Sequence, residues 1–172
     1  ELTNFFRRVA AKFVEQGGGL VGLHFACGAF GDWPEFRNLV GKVWDGKNSH
    51  DPRGPFTVEF TAAEHPITRG MSDFETDDEL YIGLVGERPV QLLAAARSKL
   101  TGHDHPMAFA FQYGSGRVFQ TPLGHDERAI RTPGTAELIR LALTAKRKVF
   151  CNVSTVAAAL SERGNIGEDE DI

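Results

Sequence analysis

Six histidines and a run of carboxylates are this chain's main stock of reactive side chains. His24 closes the apolar run Leu20-Val21-Gly22-Leu23-His24-Phe25-Ala26. In α/β sheets, ligand crevices form at the carboxyl ends of buried strands, so a histidine there is placed to meet a ligand. A hydrogen-bonded core histidine is the competing reading. The segment also has the shape of a nucleophile elbow with His where Ser or Cys would stand, which argues against acyl-enzyme chemistry. Cys27, three residues on, reads as a small packing residue.

His125 ends a second apolar stretch, Leu123-Gly124-His125-Asp126, and His50 sits in a polar loop. The three imidazoles His24, His50 and His125 suit a divalent metal such as zinc. Their spacing is irregular and neither HxH nor HExxH occurs, so direct hydrogen bonding to a substrate stays open beside metal binding. Asp77-Asp78-Glu79 runs into an expected strand. Clustered carboxylates raise one another's pKa and can supply an acid or base near neutral pH; a solvated loop is the alternative. Glu79, nearest the strand, is expected to face the pocket, with Asp78 beside it against substrate. Trp44 offers an aromatic face of the kind that stacks on sugars, whereas core packing explains Trp33 equally well. The remaining candidates are weaker. His65-Pro66 is turn chemistry, and His103-Asp104-His105 lies in a loop flanked by Gly and Pro. Gly114-Ser115-Gly116 lacks the Lys and helix of a phosphate loop.

These side chains need elements to hold them. Leu2, Phe5, Phe6, Val9 and Phe13 share one face of an opening helix, which Gly17-Gly18-Gly19 ends. The unalternating run after it predicts a strand buried on both faces, as in the middle of a parallel sheet. Asp32 is expected to cap a short helix carrying Trp33, Phe36, Leu39 and Val40, with Glu35 completing a capping box and Pro34 in its first turn. Strands are expected over 56–60, 79–84 and 90–96. Those over 107–112 and 117–121 form a hairpin around the glycines. A last helix is expected over 135–146. The domain is drawn as 1–150, with 151–172 as an acidic, partly disordered tail.

Bulk properties narrow the class. A chain of 172 residues is one domain's worth, and 41% hydrophobic against 24% charged residues is an ordinary globular balance. A net charge of −4 gives no reason to expect nucleic acid. The short basic triplet Lys146-Arg147-Lys148 falls at a helix end, where cations favour the dipole. Two distant cysteines make no disulfide framework, and no apolar stretch approaches a membrane span. A cytoplasmic location is expected. Opening on Glu1 rather than Met, the chain is expected to lack its natural N-terminus and any signal carried there.

Taken in order, several segments resemble the ThuA-like (trehalose utilisation) family. They are Gly17-Gly18-Gly19-Leu20-Val21-Gly22-Leu23-His24 with a Trp soon after and a loop His, His65-Pro66-Ile67-Thr68, Asp78-Glu79-Leu80-Tyr81, Tyr113-Gly114-Ser115-Gly116-Arg117-Val118-Phe119, and Leu123-Gly124-His125. The likeness runs from the first helix to about Lys146. It implies a class I glutamine amidotransferase-like, flavodoxin-like fold: a three-layer α/β/α sandwich, here without its opening strands. The elbow Cys of true amidotransferases is replaced by His24, so glutaminase activity is not implied. The resemblance points instead to trehalose, related disaccharides and 3-keto sugar derivatives, with His24, His50, Glu79 and His125 at the family's recurrent polar positions. Cys27 stands near a place where small hydroxyl residues are common.

The leading expectation is a domain of carbohydrate metabolism that acts on or binds a small-molecule sugar. His24, Glu79 and His125 are its catalytic candidates; Trp44, His50 and Asp78 are its substrate contacts. A non-catalytic sugar-binding or regulatory module within a longer protein is the alternative. No nucleic acid or membrane partner is expected, and homo-oligomerisation is left open.

Overall fold

Strand β1, Gly19–Leu23, is buried along its whole length, as its unalternating apolar sequence requires. The computed structural model containing it describes residues 2–47, 49–144 and 148–152, with backbone only at 2–6, 8 and 148–152. Helix α1, Leu2–Glu15, leads into β1. It ends at Gly17, whose φ of 109° lets Gly18 N–H reach Phe13 O at 2.9 Å. That is the left-handed glycine cap expected of the triplet.

The other strands are β2 (Gly54–Phe60), β3 (Phe74–Asp78), β4 (Gln91–Arg97), β5 (Asp104–Tyr113), β6 (Gly116–Thr121) and β7 (Lys148–Asn152). They form one seven-stranded sheet in the order β3-β2-β4-β5-β6-β1-β7. Only β6, β1 and β7 run parallel; every other neighbouring pair is antiparallel. The sheet is therefore mixed, and the parallel pattern read from β1 holds for that end alone. Four antiparallel steps from β6 to β3 restore the original direction. β1, β6 and β3 thus all end on the same edge of the sheet.

Alternation along the strands sends side chains to two apolar clusters. Leu20 and Val118 pack on one face with Val14 of α1 and with Phe36, Leu39 and Val40 of helix α2, Pro34–Val40. Val21 and Phe119 pack on the other with Leu138 and Ala142 of helix α4, Pro133–Leu143. Helices thus cover both faces, as the period-two side-chain geometry of a strand demands. Helix α3, Glu127–Ile130, is a single turn capped by Asp126, which accepts from Ala129 N–H at 2.9 Å.

Several expected boundaries move. The strand expected over 20–26 ends at Leu23, and His24–Gly28 is a 3₁₀ turn. Asp32 does not cap α2, which has no side-chain cap; its carboxylate is taken by Arg7 Nη2 at 2.6 Å, a stronger charged partner. The strand expected over 79–84 lies earlier, as β3. Past Asp78 the strand pairing is reduced to isolated bridges, Tyr81 to His50 and Val85 to Val43. The boundary drawn at 150 falls within β7, and the acidic tail beyond 152 lies outside the described residues.

Candidate active site

Glu79 immediately follows β3, His24 immediately follows β1, and His125 comes four residues after β6. Because these strands end on one edge, their three side chains converge. Glu79 Oε2 lies 3.1 Å from His125 Nδ1 and 3.4 Å from His24 Nε2. The other oxygen, Oε1, lies 3.5 Å from His50 Nε2. One carboxylate therefore faces three imidazoles.

His24 sits there by virtue of its backbone. Its φ is 49°, in the left-handed region that a residue with a Cβ enters only at a cost. Such strain persists where the surroundings over-determine it, and it is frequent at functional sites. The turn sends the side chain out of the strand direction and into a nearly closed space, leaving the residue 7% exposed. Its ring meets those of His125 and Tyr81 edge-on, at centroid separations of 5.2 and 5.4 Å. His24 Nε2 is buried with no hydrogen bond of good geometry, since the Glu79 contact is long and off-line. Burial, opposed by the charges of Asp78 and Glu79, holds the His24 pKa below its ordinary value and favours the neutral ring.

His50 arrives from a different direction. Asp51 N–H donates to Leu80 O and Ile82 N–H to Ser49 O, both at 2.9 Å, which pins its segment against the one following Glu79. The Asp51 carboxylate anchors that segment further, accepting from Ser98 Oγ and Lys99 N at 2.6 Å. His50 Nδ1 lies 2.6 Å from Asp51 O. A carbonyl can only accept, so Nδ1 carries the proton and Nε2 is left facing Glu79.

His24, His125 and Glu79 each offer one donor atom, and all three lie within 4.8 Å of one another. His50 falls outside that set, because it addresses the opposite oxygen of Glu79. The expected metal trio of His24, His50 and His125 is thus rearranged, with Glu79 in the place of His50. Asp78 also differs from expectation. It is fully buried, and its oxygens accept from Gly124 N at 2.6 Å, Glu79 N at 2.8 Å and His125 N at 3.1 Å. All three donors are backbone amides. Burial raises its pKa, against the opposing pull of those amides.

Trp44 packs on Phe25 at a ring separation of 5.5 Å. It lines a hollow of about 510 Å³ with Phe30, Trp33, Phe36 and Arg37, and none of the three clustered residues lines that hollow. His65 lies in the expected turn, its Nδ1 accepting from Ile67 N–H at 3.2 Å. Tyr81 is a further residue of the site, not among the sequence-derived candidates; its ring touches those of both His24 and His50. The available signal was its place two residues after Glu79, the spacing of one face in extended chain. Cys27 is buried and its thiol is pushed up to about 12 by burial, so it is no ready thiolate nucleophile.

Among the described residues no helix is long and apolar enough to cross a membrane. No curated protein matches the chain. A solved protein from Parabacteroides merdae ATCC 43184, described as thuA-like, is similar at 26% identity and a TM-score of 0.73, over 87% of this chain and 68% of that one. A thuA-like protein from Bacteroides uniformis ATCC 8492 shares the fold at 23% identity and a TM-score of 0.64, over 80% of this chain and 61% of that one. A Salmonella typhimurium LT2 protein described as cytoplasmic shares it at 17% identity and 0.57, over 78% of this chain and 55% of its own. The chain thus spans less than two thirds of the last two. A family profile described as trehalose utilisation matches residues 2–144, and the chain belongs to that family, ThuA.

Proposed function

We propose that this chain is a sugar-processing domain whose chemistry centres on His24, Glu79 and His125. The observation carrying this is the convergence of two imidazole nitrogens and a carboxylate oxygen within 4.8 Å at one sheet edge. The family description, trehalose utilisation, supports a disaccharide as substrate, and a keto-sugar derivative is what the sequence resemblance implies. The left-handed turn at His24 after a buried parallel strand supports placing the fold in the class I glutamine amidotransferase-like, flavodoxin-like group. A buried Cys27 with a raised pKa argues against glutaminase chemistry within it. The partner is a small-molecule sugar, with neither nucleic acid nor membrane involved, and the setting is the cytoplasm.

The donor set fits a divalent ion such as zinc. Two histidines and a glutamate are a known ligand combination for it, and His24 Nε2 is buried without a well-made hydrogen bond. Bound there, such an ion would supply Lewis-acid polarisation of a sugar carbonyl or hydroxyl. The protein's own groups have separate work. Glu79 Oε1 and His50 Nε2, 3.5 Å apart, can hold one proton between them. The His50 side chain is about one third exposed, which gives that proton a route to solvent. Tyr81 limits the tilt of both His24 and His50.

Elemental analysis of purified protein beside a turnover assay tests the reading. Stoichiometric zinc in wild type, lost in His24→Ala and His125→Ala together with turnover of a 3-keto disaccharide, is the expected result. Sugar binding by calorimetry with no turnover would assign a binding module. Absence of both metal and sugar binding would overturn the proposal.

A further inference from the structure

We propose that Asp78 is the positioning residue of this site, a clamp that sets the distance between Glu79 and His125. The inference rests on the reading of those residues as the working centre.

The sheet ladder alone does not set that distance. β3 and β6 are separated in the sheet by β2, β4 and β5. Four inter-strand steps of about 4.8 Å would put them roughly 19 Å apart in a flat sheet. Yet Glu79 Oε2 and His125 Nδ1 stand 3.1 Å apart. The sheet must curl to allow this, and small changes of twist at each step would add up at the site. Asp78 closes the gap directly. Its Oδ2 accepts from Gly124 N–H at 2.6 Å, and its Oδ1 from His125 N–H at 3.1 Å. The same Oδ1 accepts from Glu79 N–H at 2.8 Å, so one oxygen holds the backbone of both site residues. Charge-assisted bonds of this kind are short and directional, and Asp78 is fully shielded from water. The receiving turn is shaped for it. Gly124 has φ 104°, and a Cβ there would meet Leu23 Cδ1 and Ile130 Cγ1 at 3.2 Å.

The test compares wild type, Asp78→Asn and Leu138→Ala. Asparagine keeps the size of Asp78 but presents an NH₂ where a second acceptor is needed. Leu138→Ala opens a cavity in the core under α4, removes none of the three bonds to Asp78, and controls for plain loss of stability. Co²⁺ titration followed by visible absorption reads the site in each. Affinity is expected to fall at least tenfold in Asp78→Asn and to stay within twofold in Leu138→Ala. Equal falls in the two variants, or none in Asp78→Asn, would overturn the proposal. If wild type takes up no Co²⁺, the metal reading falls instead, and nuclear Overhauser effects between the His24 and His125 rings judge the clamp. These should vanish in Asp78→Asn and persist in Leu138→Ala. Their persistence in Asp78→Asn, or their disappearance from both variants, would sink the clamp. Should Asp78→Asn not fold, wild type still decides the matter. Gly124 and His125 amide protons that exchange as fast as those of exposed loops would refute the clamp, and strong protection of both would support it.

Discussion

Glu79 meets His125 at 3.1 Å although their strands lie four places apart in the sheet. The same carboxylate oxygen faces His24 from the other side. A single acidic group is thus shared by residues from three segments, and the chemistry of the domain should hinge on it. Glu79→Gln keeps the size of the side chain and removes its charge. Sugar turnover is expected to fall about 10²–10⁴-fold, the usual contribution of an acid–base group. Steady-state kinetics with circular dichroism as a fold control would check this, and turnover within threefold of wild type would remove Glu79 from the mechanism.

The backbone of His24 predicts a trade between stability and function. A left-handed φ of 49° costs an L-residue about 1–2 kcal/mol and glycine almost nothing. His24→Gly is therefore expected to be more stable than His24→Ala by about 1 kcal/mol, while both lose the site. Urea denaturation of the pair reads the difference. Equal midpoints would mean that the turn is not strained.

Acid should weaken the fold early. Burial holds His24, His65 and His105 below 6.5, the second with help from Arg117. In that window the unfolded chain binds protons that the folded chain refuses, so unfolding is favoured as pH falls. Stability is expected to be complete above pH 6.5 and to drop progressively below it. Asp78, raised by burial above 3.8, acts in the opposite sense at lower pH, because there the folded state takes the proton first. Denaturant melts at pH 8, 7, 6 and 5 would show the trend, and His24→Ala should flatten it. Stability constant from pH 8 to 5 would contradict the burial argument.

Gln120 predicts a gain. It points from β6 toward Gly22 of β1, it is 1% exposed, and neither its Nε2 nor its Oε1 has a protein partner. An unmet buried amide costs about 1–3 kcal/mol. Gln120→Leu, close in volume, is expected to raise unfolding free energy by about 1 kcal/mol with Co²⁺ uptake unchanged. A destabilised Gln120→Leu would show that the amide has a role that its protein neighbours do not reveal.

Much of the frame is legible in the chain. The unalternating run 20–26 means a doubly buried strand, though only its part up to Leu23 is strand; the glycine triplet means a helix end, and Gly114 and Gly116 mean a hairpin. Each of these is local: neighbours along the chain carry the whole signal. His24, Glu79 and His125 are also legible as candidates, because ionisable residues at the ends of apolar runs are seldom there for packing. Less local matters are not. The strand expected after Glu79 lies before it, because Phe74–Asp78 has four polar residues in a row after Phe74, shows no apolar alternation, and borrows its order from β2 across the sheet. Asp32 has the look of a cap, but Arg7, far away in sequence, claims it.

Residue types and strand ends are thus set by the sequence, since periodicity and backbone preference act over a few residues. Which side chains meet is decided only by the fold. Strand parity brings three carboxyl ends to one edge, and curling carries β3 back toward β6. Asp78 then commits its charge to three backbone amides, and His50 is left to the far oxygen of Glu79. No spacing in the chain encodes these distances, because they depend on the summed twist of strands that are remote in sequence.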